Sequence, residues 1–435
     1  MTPGVQPTTR LGSNATILLV GQVGRIALQG SYFVLLARGL GASSFGAAAA
    51  VLALVSMLLP FSGLGSVLLL MRNVSQRHEA AAVQWANAVA LVVMSGSVLT
   101  GALLLASPWV APRGMPLAVV AAIAIGDLVL AQVVEAARSV FHAKERMIRS
   151  AYFPVLLQAS RLTALLMVMA GPWDLTLESW ALSYVGASIP VTSILAVVTL
   201  RHIGRSAPHL GEYTREFKVG LLFMVGMSTT TVYNDADKAL LARLSTLHAA
   251  GVYSAAYRIV DVAYAPVRSL LGAALPSMWR AGSDGLLPVL EVVRGRLLRP
   301  VAWYCVAATG LMFAGASYVP LVLGEQYTES VPALRALSFL LLIKGCHYIA
   351  GDTLTCGGRQ RARTATQIAV ATSNVLLCLW LIPRFSWQGA VAASLASDGL
   401  LAIVLVCVLR AGVRRERRAA GHPSLDSAQS RPGTP

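Results

Sequence analysis

NATILLVGQVGRIALQGSYFVLLA, residues 14–37, holds a single charge, Arg25, in an otherwise apolar run. A helix of about 20 such residues crosses the hydrocarbon core of a membrane, so the run reads as a membrane span. Arg25 lies eleven residues into it, at about 1.5 Å per residue roughly 16 Å deep and near the midplane. Gln22, Arg25 and Gln29 are spaced i, i+3, i+7 and share one face, which makes a polar stripe on the helix. A charge at that depth costs roughly 2.5–3.5 kcal/mol on insertion scales, so it faces a watery cavity, pairs with a carboxylate such as Asp127, or holds backbone groups.

The rest of the chain fits that first span. Of 435 residues 56% are hydrophobic and only 12% charged, and mean hydropathy is +0.66. Soluble proteins carry about a quarter charged residues, so an ordinary soluble fold is excluded. The formal net charge of +16 sits between apolar segments, which points to membrane topology and not to nucleic acid. Cys305, Cys346, Cys356, Cys378 and Cys407 are scattered without C-x-x-C or Cys/His ligand spacing, so no disulfide frame and no metal site are expected. His78, His142, His202, His209 and His422 fall in expected cytoplasmic segments, while His248 and His347 lack acidic or cysteine partners at ligand spacing. Residues 1–13 are polar and the first apolar run is too long for the h-region of a cleavable signal, so the run is expected to stay as a span.

Apolar runs predict an all-α, polytopic membrane protein of about twelve transmembrane helices in two six-helix lobes. The helices fall near 14–37, 44–71, 82–106, 116–136, 150–171 and 177–200, then 216–242, 249–278, 298–322, 330–352, 364–383 and 387–410. Pro60, Gly63, Gly65 and Pro266 are expected to kink helices. The chain thus divides into a cytoplasmic N-terminal segment at 1–13, an N-lobe at 14–200, a linker at 201–215, a C-lobe at 216–410 and a basic disordered tail at 411–435. One set of alternate gaps, with the C-terminal end from Arg410, holds 24 Lys and Arg, against Arg38, Arg113, Arg243 and Arg384 in the other set. That bias places both termini in the cytoplasm.

Seven basic residues fall inside the expected spans: Arg25, Arg161, Lys238, Arg258, Arg268, Arg335 and Lys344. Helices 7 and 8 are densest, with Asp235, Asp237 and Lys238 followed by Arg258, Asp261 and Arg268. If the two helices are antiparallel, Asp235 can meet Arg258 and Lys238 can meet Asp261; these residues either form structural ion pairs or serve substrate and coupling. Asp127, in the fourth span, is the coupling candidate, because a buried carboxyl can exchange protons near neutral pH. Arg161 either extends a cationic lumen or pairs with Asp127. Asp235-Ala-Asp237 has the D-x-D form of nucleotide-sugar glycosyltransferases, but its place inside a span argues against catalysis. No catalytic residue and no cofactor is expected, and coupling to H+ or Na+ is.

Residues 37–53 (ARGLGASSFGAAAAVLA) lie over 242–258 (ARLSTLHAAGVYSAAYR) at a shift of 205, matching Ala37 with Ala242, Arg38 with Arg243 and Gly46 with Gly251. Two six-helix halves in one orientation follow, related by an axis along the membrane normal with the site between them.

The stretches LLARGLGASSFGAAAAVLALVSMLLPFSGLGSVLLLMRNVSQ (35–76), YNDADKALLARL (233–244), AAGVYSAAYRIV (249–260), LGEQYTESVPALRALSF (323–339) and GGRQRARTATQIAVATSNVLLCLWLIPRFSWQGAVAASLAS (357–397) resemble the polysaccharide flippases of the multidrug/oligosaccharidyl-lipid/polysaccharide exporter superfamily, O-antigen flippases included. The resemblance implies two lobes in a V, alternating access, and movement of an undecaprenyl-diphosphate-linked oligosaccharide, such as a capsule, exopolysaccharide or O-antigen unit, from the inner to the outer leaflet. It places Arg25 where peptidoglycan-precursor flippases carry a cavity arginine implicated in lipid-diphosphate binding. It also sets Asp237-Lys238 and Tyr257-Arg258 on family words. A planar, permanently charged guanidinium suits a diphosphate better than an ammonium does. Gln22, Arg25, Gln29, Arg161, Lys238 and Arg258 are therefore the expected substrate-binding set, and Asp127, Asp235, Asp237 and Asp261 the coupling or ion-pair set. Implied partners are the lipid-linked oligosaccharide, membrane lipids, a polysaccharide polymerase and glycosyltransferases. The alternatives are a cation or drug antiporter of the same superfamily, a peptidoglycan lipid-precursor flippase, and a membrane glycan polymerase or ligase, though the last usually presents a large outer loop.

Overall fold

Helix follows helix because apolar, poorly charged segments in lipid must satisfy their backbone groups internally. The computed structural model describes residues 8–209, 231–283 and 285–420, with isolated positions at 211, 224 and 228, and its regular structure is helical throughout. The expected segment up to residue 7, residues 210 and 212–215 of the linker, most of the first half of helix 7 and residues 421–435 lie outside the described residues.

Fifteen helices carry the fold: α1 (Thr8–Leu58), α2 (Ser66–Gln76), α3 (Ala81–Val110), α4 (Leu117–Ala124), α5 (Gln132–Ala143), α6 (Met147–Ala170), α7 (Leu177–Ile203), α8 (231–244), α9 (Leu247–Gly282), α10 (Leu286–Val292), α11 (Leu298–Gly315), α12 (Val319–Leu323), α13 (Ser330–Leu337), α14 (Leu340–Cys356) and α15 (Gln360–Ala420). Among the described residues nine stretches are long and apolar enough to cross a membrane. Two of them are double. Helix α1 turns at Gly41, whose φ of 74° is the left-handed conformation glycine adopts without strain, and α15 turns at Ser386 with φ 52°. Split there, the stretches become eleven, and α8 is the described part of one more, in keeping with about twelve spans.

The Pro60 region behaves as expected. Residues Leu59–Gly65 leave the α-helix for a 3-10 stretch, with Gly63 and Gly65 at φ 75° and 79°. Pro266 does not end its helix, and α9 continues through it to Gly282.

Two compact units emerge. The first contains residues 1–258, 316–333 and 375–391, the second 259–315, 334–374 and 392–435. In the first, Trp85, Val92, Phe141, Phe153 and Leu157 bury a core shared by α2, α3, α5, α6 and α7. Large apolar side chains such as Leu105 point outward at 77% exposure, the surface a lipid-embedded helix presents. In the second unit, Trp303 and Leu311 do the same.

Residues 411–420, expected in the disordered tail, instead continue α15. Glu416 gives the reason: its carboxylate accepts the backbone N–H groups of Leu286 (3.0 Å) and Leu287 (3.2 Å), satisfying the N-terminus of α10. That cap ties the last helix down.

Candidate functional site

Between α4 and α5 the chain changes pitch, and residues Ile125–Ala131 wind as a π-helix. Such stretches loosen the backbone ladder and recur at functional sites. Here the displaced carbonyls find side chains: Arg161 Nη2 donates to the Gly126 oxygen at 2.9 Å and Ser62 Oγ to the Leu128 oxygen at 2.5 Å. Arg161, on α6, is 7% exposed and forms an ion pair with Asp127 at 3.0 Å. Its Nε donates to Ser188, its Nη1 to the Tyr184 hydroxyl, and the guanidinium lies 3.8 Å from the Tyr184 ring centre. Tyr184 in turn donates to Asp127 at 2.6 Å. Four residues, Gly126, Asp127, Tyr184 and Ser188, hold all three guanidinium nitrogens inside the helix bundle. Of the two sequence readings for Arg161, this geometry is that of the pair with Asp127.

A polar cavity of about 270 Å³ lies elsewhere in the same unit, lined by Gly21, Gln22, Arg25, Glu135, Arg138, Ser150, Ala151 and Pro154. The first arm of α1 brings Gln22 and Arg25, α5 brings Glu135 and Arg138, and α6 brings Ser150. The expected stripe is thus partly realised: Gln22 is exposed, Arg25 half-buried, and Gln29, also half-buried, is not among the lining residues. Arg138 holds Glu135 through two bonds, Nε to Oε2 at 2.8 Å and Nη2 to Oε1. Arg25 lines the same cavity as this bidentate pair. Gly21 lets α6 approach, since a Cβ there would lie 2.8 Å from that of Ala151.

A third cluster joins α8 and α9. Lys238 Nζ meets Asp235 at 2.5 Å one turn back on its own helix and sits 4.3 Å over the Tyr257 ring, and Ser56 donates to Asp235 at 2.7 Å. Asp237, 1% exposed, accepts the hydroxyl of Tyr253 and the Lys238 backbone N–H. The sequence offered Asp235 to Arg258; the structure gives it Lys238 and Ser56. Arg258 is exposed, and Asp261 is half-buried with its backbone carbonyl accepting from Arg268 at 3.3 Å. The acceptors and donors from α1, α7 and α9 in these clusters, Ser56, Tyr184, Ser188 and Tyr253, were invisible as partners because hydroxyls in apolar runs look like packing residues.

The family described as "Polysaccharide biosynthesis protein" matches residues 11–281. The chain belongs to that family. Structural relatives extend the likeness to the whole fold of this polysaccharide biosynthesis protein. An inward-facing multidrug-resistance MATE family transporter of the MOP superfamily superposes with a TM-score of 0.72 at 14% identity, over 90% of this chain and 96% of the other. The lipid II flippase MurJ, in an inward closed conformation, gives a TM-score of 0.74 at 10% identity, over 91% and 87%. A MOP superfamily transporter from Pyrococcus furiosus, described as having a binding pocket of reverse polarity, gives a TM-score of 0.60 at 13% identity, over 92% of this chain and 94% of the other. No curated protein matches the sequence. The family member is accordingly a multi-pass membrane protein with the fold of MOP superfamily transporters.

Proposed function

We propose that the protein is a flippase that carries an undecaprenyl-diphosphate-linked oligosaccharide from the inner to the outer leaflet of the bacterial cell membrane. Its two six-helix halves, 14–200 and 216–410, alternate access to a site that binds the diphosphate, and an ion gradient drives the cycle. Both termini face the cytoplasm, where the glycosyltransferases assemble the substrate, and a polymerase receives it outside.

The observation that carries this reading is the cavity at Arg25. Two permanent guanidinium cations, Arg25 and Arg138, line it with Gln22 and Ser150 against a single carboxylate, Glu135, and so offer a diphosphate charge and several donors. The family itself supplies the polysaccharide context. A drug antiporter, the second reading, needs an anionic cavity for a cation; the lining carboxylate, Glu135, is held by Arg138, and the coupling candidate Asp127 pairs with Arg161. The charge arrangement therefore favours an anionic headgroup.

The experiment is glycan export in cells carrying Arg25 variants at equal membrane abundance. Arg25→Lys stays impaired because a point-like ammonium lacks the bidentate fork, and Arg25→Ala is worse. Wild-type export by Arg25→Ala would rule the diphosphate role out.

A further inference from the structure

In the second compact unit, His347 of α14 and Asp398 of α15 come together inside the protein. Nε2 lies 3.0 Å from Oδ1, and the side chains are 5% and 3% exposed. The approach is at ion-pair distance but without hydrogen-bond alignment at Nε2. Lys344, one turn before His347, is buried too, at 3% exposure. His347 is the only buried histidine among the described residues.

Each neighbouring helix contributes polar groups. On α14 itself, the Tyr348 ring centre is 4.5 Å from that of His347, and Asp352 is committed to Arg363 at 2.9 Å. From α9, Tyr264 stacks 5.2 Å from Tyr348, with Arg268 5.7 Å from its ring centre. Cys305 of α11 approaches Gly345, whose Cβ would meet its sulfur at 3.0 Å. From α15, Asn374 donates to Ser397 at 3.1 Å beside Asp398, and Ser394 is buried in the same stretch.

We infer that His347 and Asp398 form a proton-binding site that couples the transport cycle to the proton gradient. The inference rests on the transport reading above. A helix-to-helix contact in lipid needs no titratable group, and an apolar pair would hold α14 to α15 without the desolvation cost. An imidazole changes charge between pH 5 and 8. While the contact is sealed, a proton bound at His347 adds a charge to a dry cluster that already holds Lys344, Asp398 and the Asp352–Arg363 pair. When water reaches the contact, the same proton is accepted at little cost. Protonation therefore favours the hydrated conformation, and by linkage the conformation sets the proton affinity. No bond breaks in this step; a proton moves between water and the imidazole.

The test uses the full chain in phospholipid vesicles, with protons as the only ligand and histidine nitrogens labelled for solid-state NMR. The wild type should show a buried imidazole whose protonation state changes with the pH of the medium, and His347→Gln should lose that signal. Asp398→Asn should change the protonation response of that imidazole, because it removes the carboxylate 3.0 Å from Nε2. In cells, His347→Gln export should no longer respond to external pH. A buried imidazole that holds one state whatever the pH of the medium, or export by His347→Gln that keeps the wild-type pH response, overturns the proposal. The wild-type spectrum stays decisive if the variants fail to fold. Normal export by Arg25→Ala alongside a titrating His347 would instead sink the flippase reading and leave the proton site standing.

Discussion

Gly46 and Gly251, which occupy the same place in the two copies of the 205-residue repeat, meet backbone to backbone. A Cβ on Gly46 would fall 2.0 Å from the carbonyl oxygen of Leu247, and one on Gly251 would fall 1.9 Å from that of Ala42. Ala42 and Leu247 are themselves repeat equivalents, so the contact is made twice by one local pseudo-symmetry. Small residues at such a crossing let two membrane helices approach closely.

A side chain at either glycine must therefore move backbone, not a flexible tip. Gly46→Val and Gly251→Val should each lower stability by about 1–3 kcal/mol or more, the range for overpacked interiors. Gly101→Ala, where a Cβ meets nothing within 4 Å, should be neutral or slightly stabilising. Thermal unfolding in one detergent checks the contrast; equal melting temperatures for Gly46→Val and Gly101→Ala would contradict the crossing.

The Arg161 network makes a second prediction. Arg161→Met leaves half-buried Asp127 without its cation and the Gly126 carbonyl without its donor, and should cost about 2–4 kcal/mol, toward the low end of what breaking a buried ion pair costs. Arg161→Met combined with Asp127→Leu should recover part of that loss. A double-mutant cycle on unfolding gives the coupling, and additive effects would remove the pair from the stability of this unit.

Tyr253→Phe removes the hydroxyl donated to buried Asp237. Losing a hydrogen bond to this buried carboxyl should cost about 1–3 kcal/mol while keeping the ring. Chemical denaturation reads this directly, and an unchanged midpoint would show that Asp237 is satisfied without Tyr253.

Topology can be checked independently of mechanism. Reporter fusions within residues 359–363, which hold three arginines, should report a cytoplasmic location. An external location would overturn the orientation, and with it the direction of transport.

The spans, the fold class and the kink at Pro60–Gly65 could be read from the chain, because apolar length and Gly or Pro placement act locally. Partners across helices were harder. Periodicity gives the face of a helix but not what meets it, so Asp127–Arg161 was one option among several, and His347 looked isolated although Asp398 faces it from 51 residues away. The π-helical stretch at Ile125–Ala131 has no composition of its own; tertiary donors, Arg161 and Ser62, make it affordable. The ordering of residues 411–420 likewise depends on Glu416 finding Leu286 and Leu287, a contact that a basic composition conceals.

The central claim is that the cavity at Arg25 moves a lipid diphosphate across the bilayer, and the most direct measurement is the leaflet distribution of the undecaprenyl-diphosphate-linked oligosaccharide in living cells. Cells whose only copy is Arg25→Ala, present at wild-type abundance, should accumulate that lipid in the inner leaflet, with the outer-leaflet pool falling at least tenfold. An outer-leaflet pool equal to that of the wild type would contradict the account.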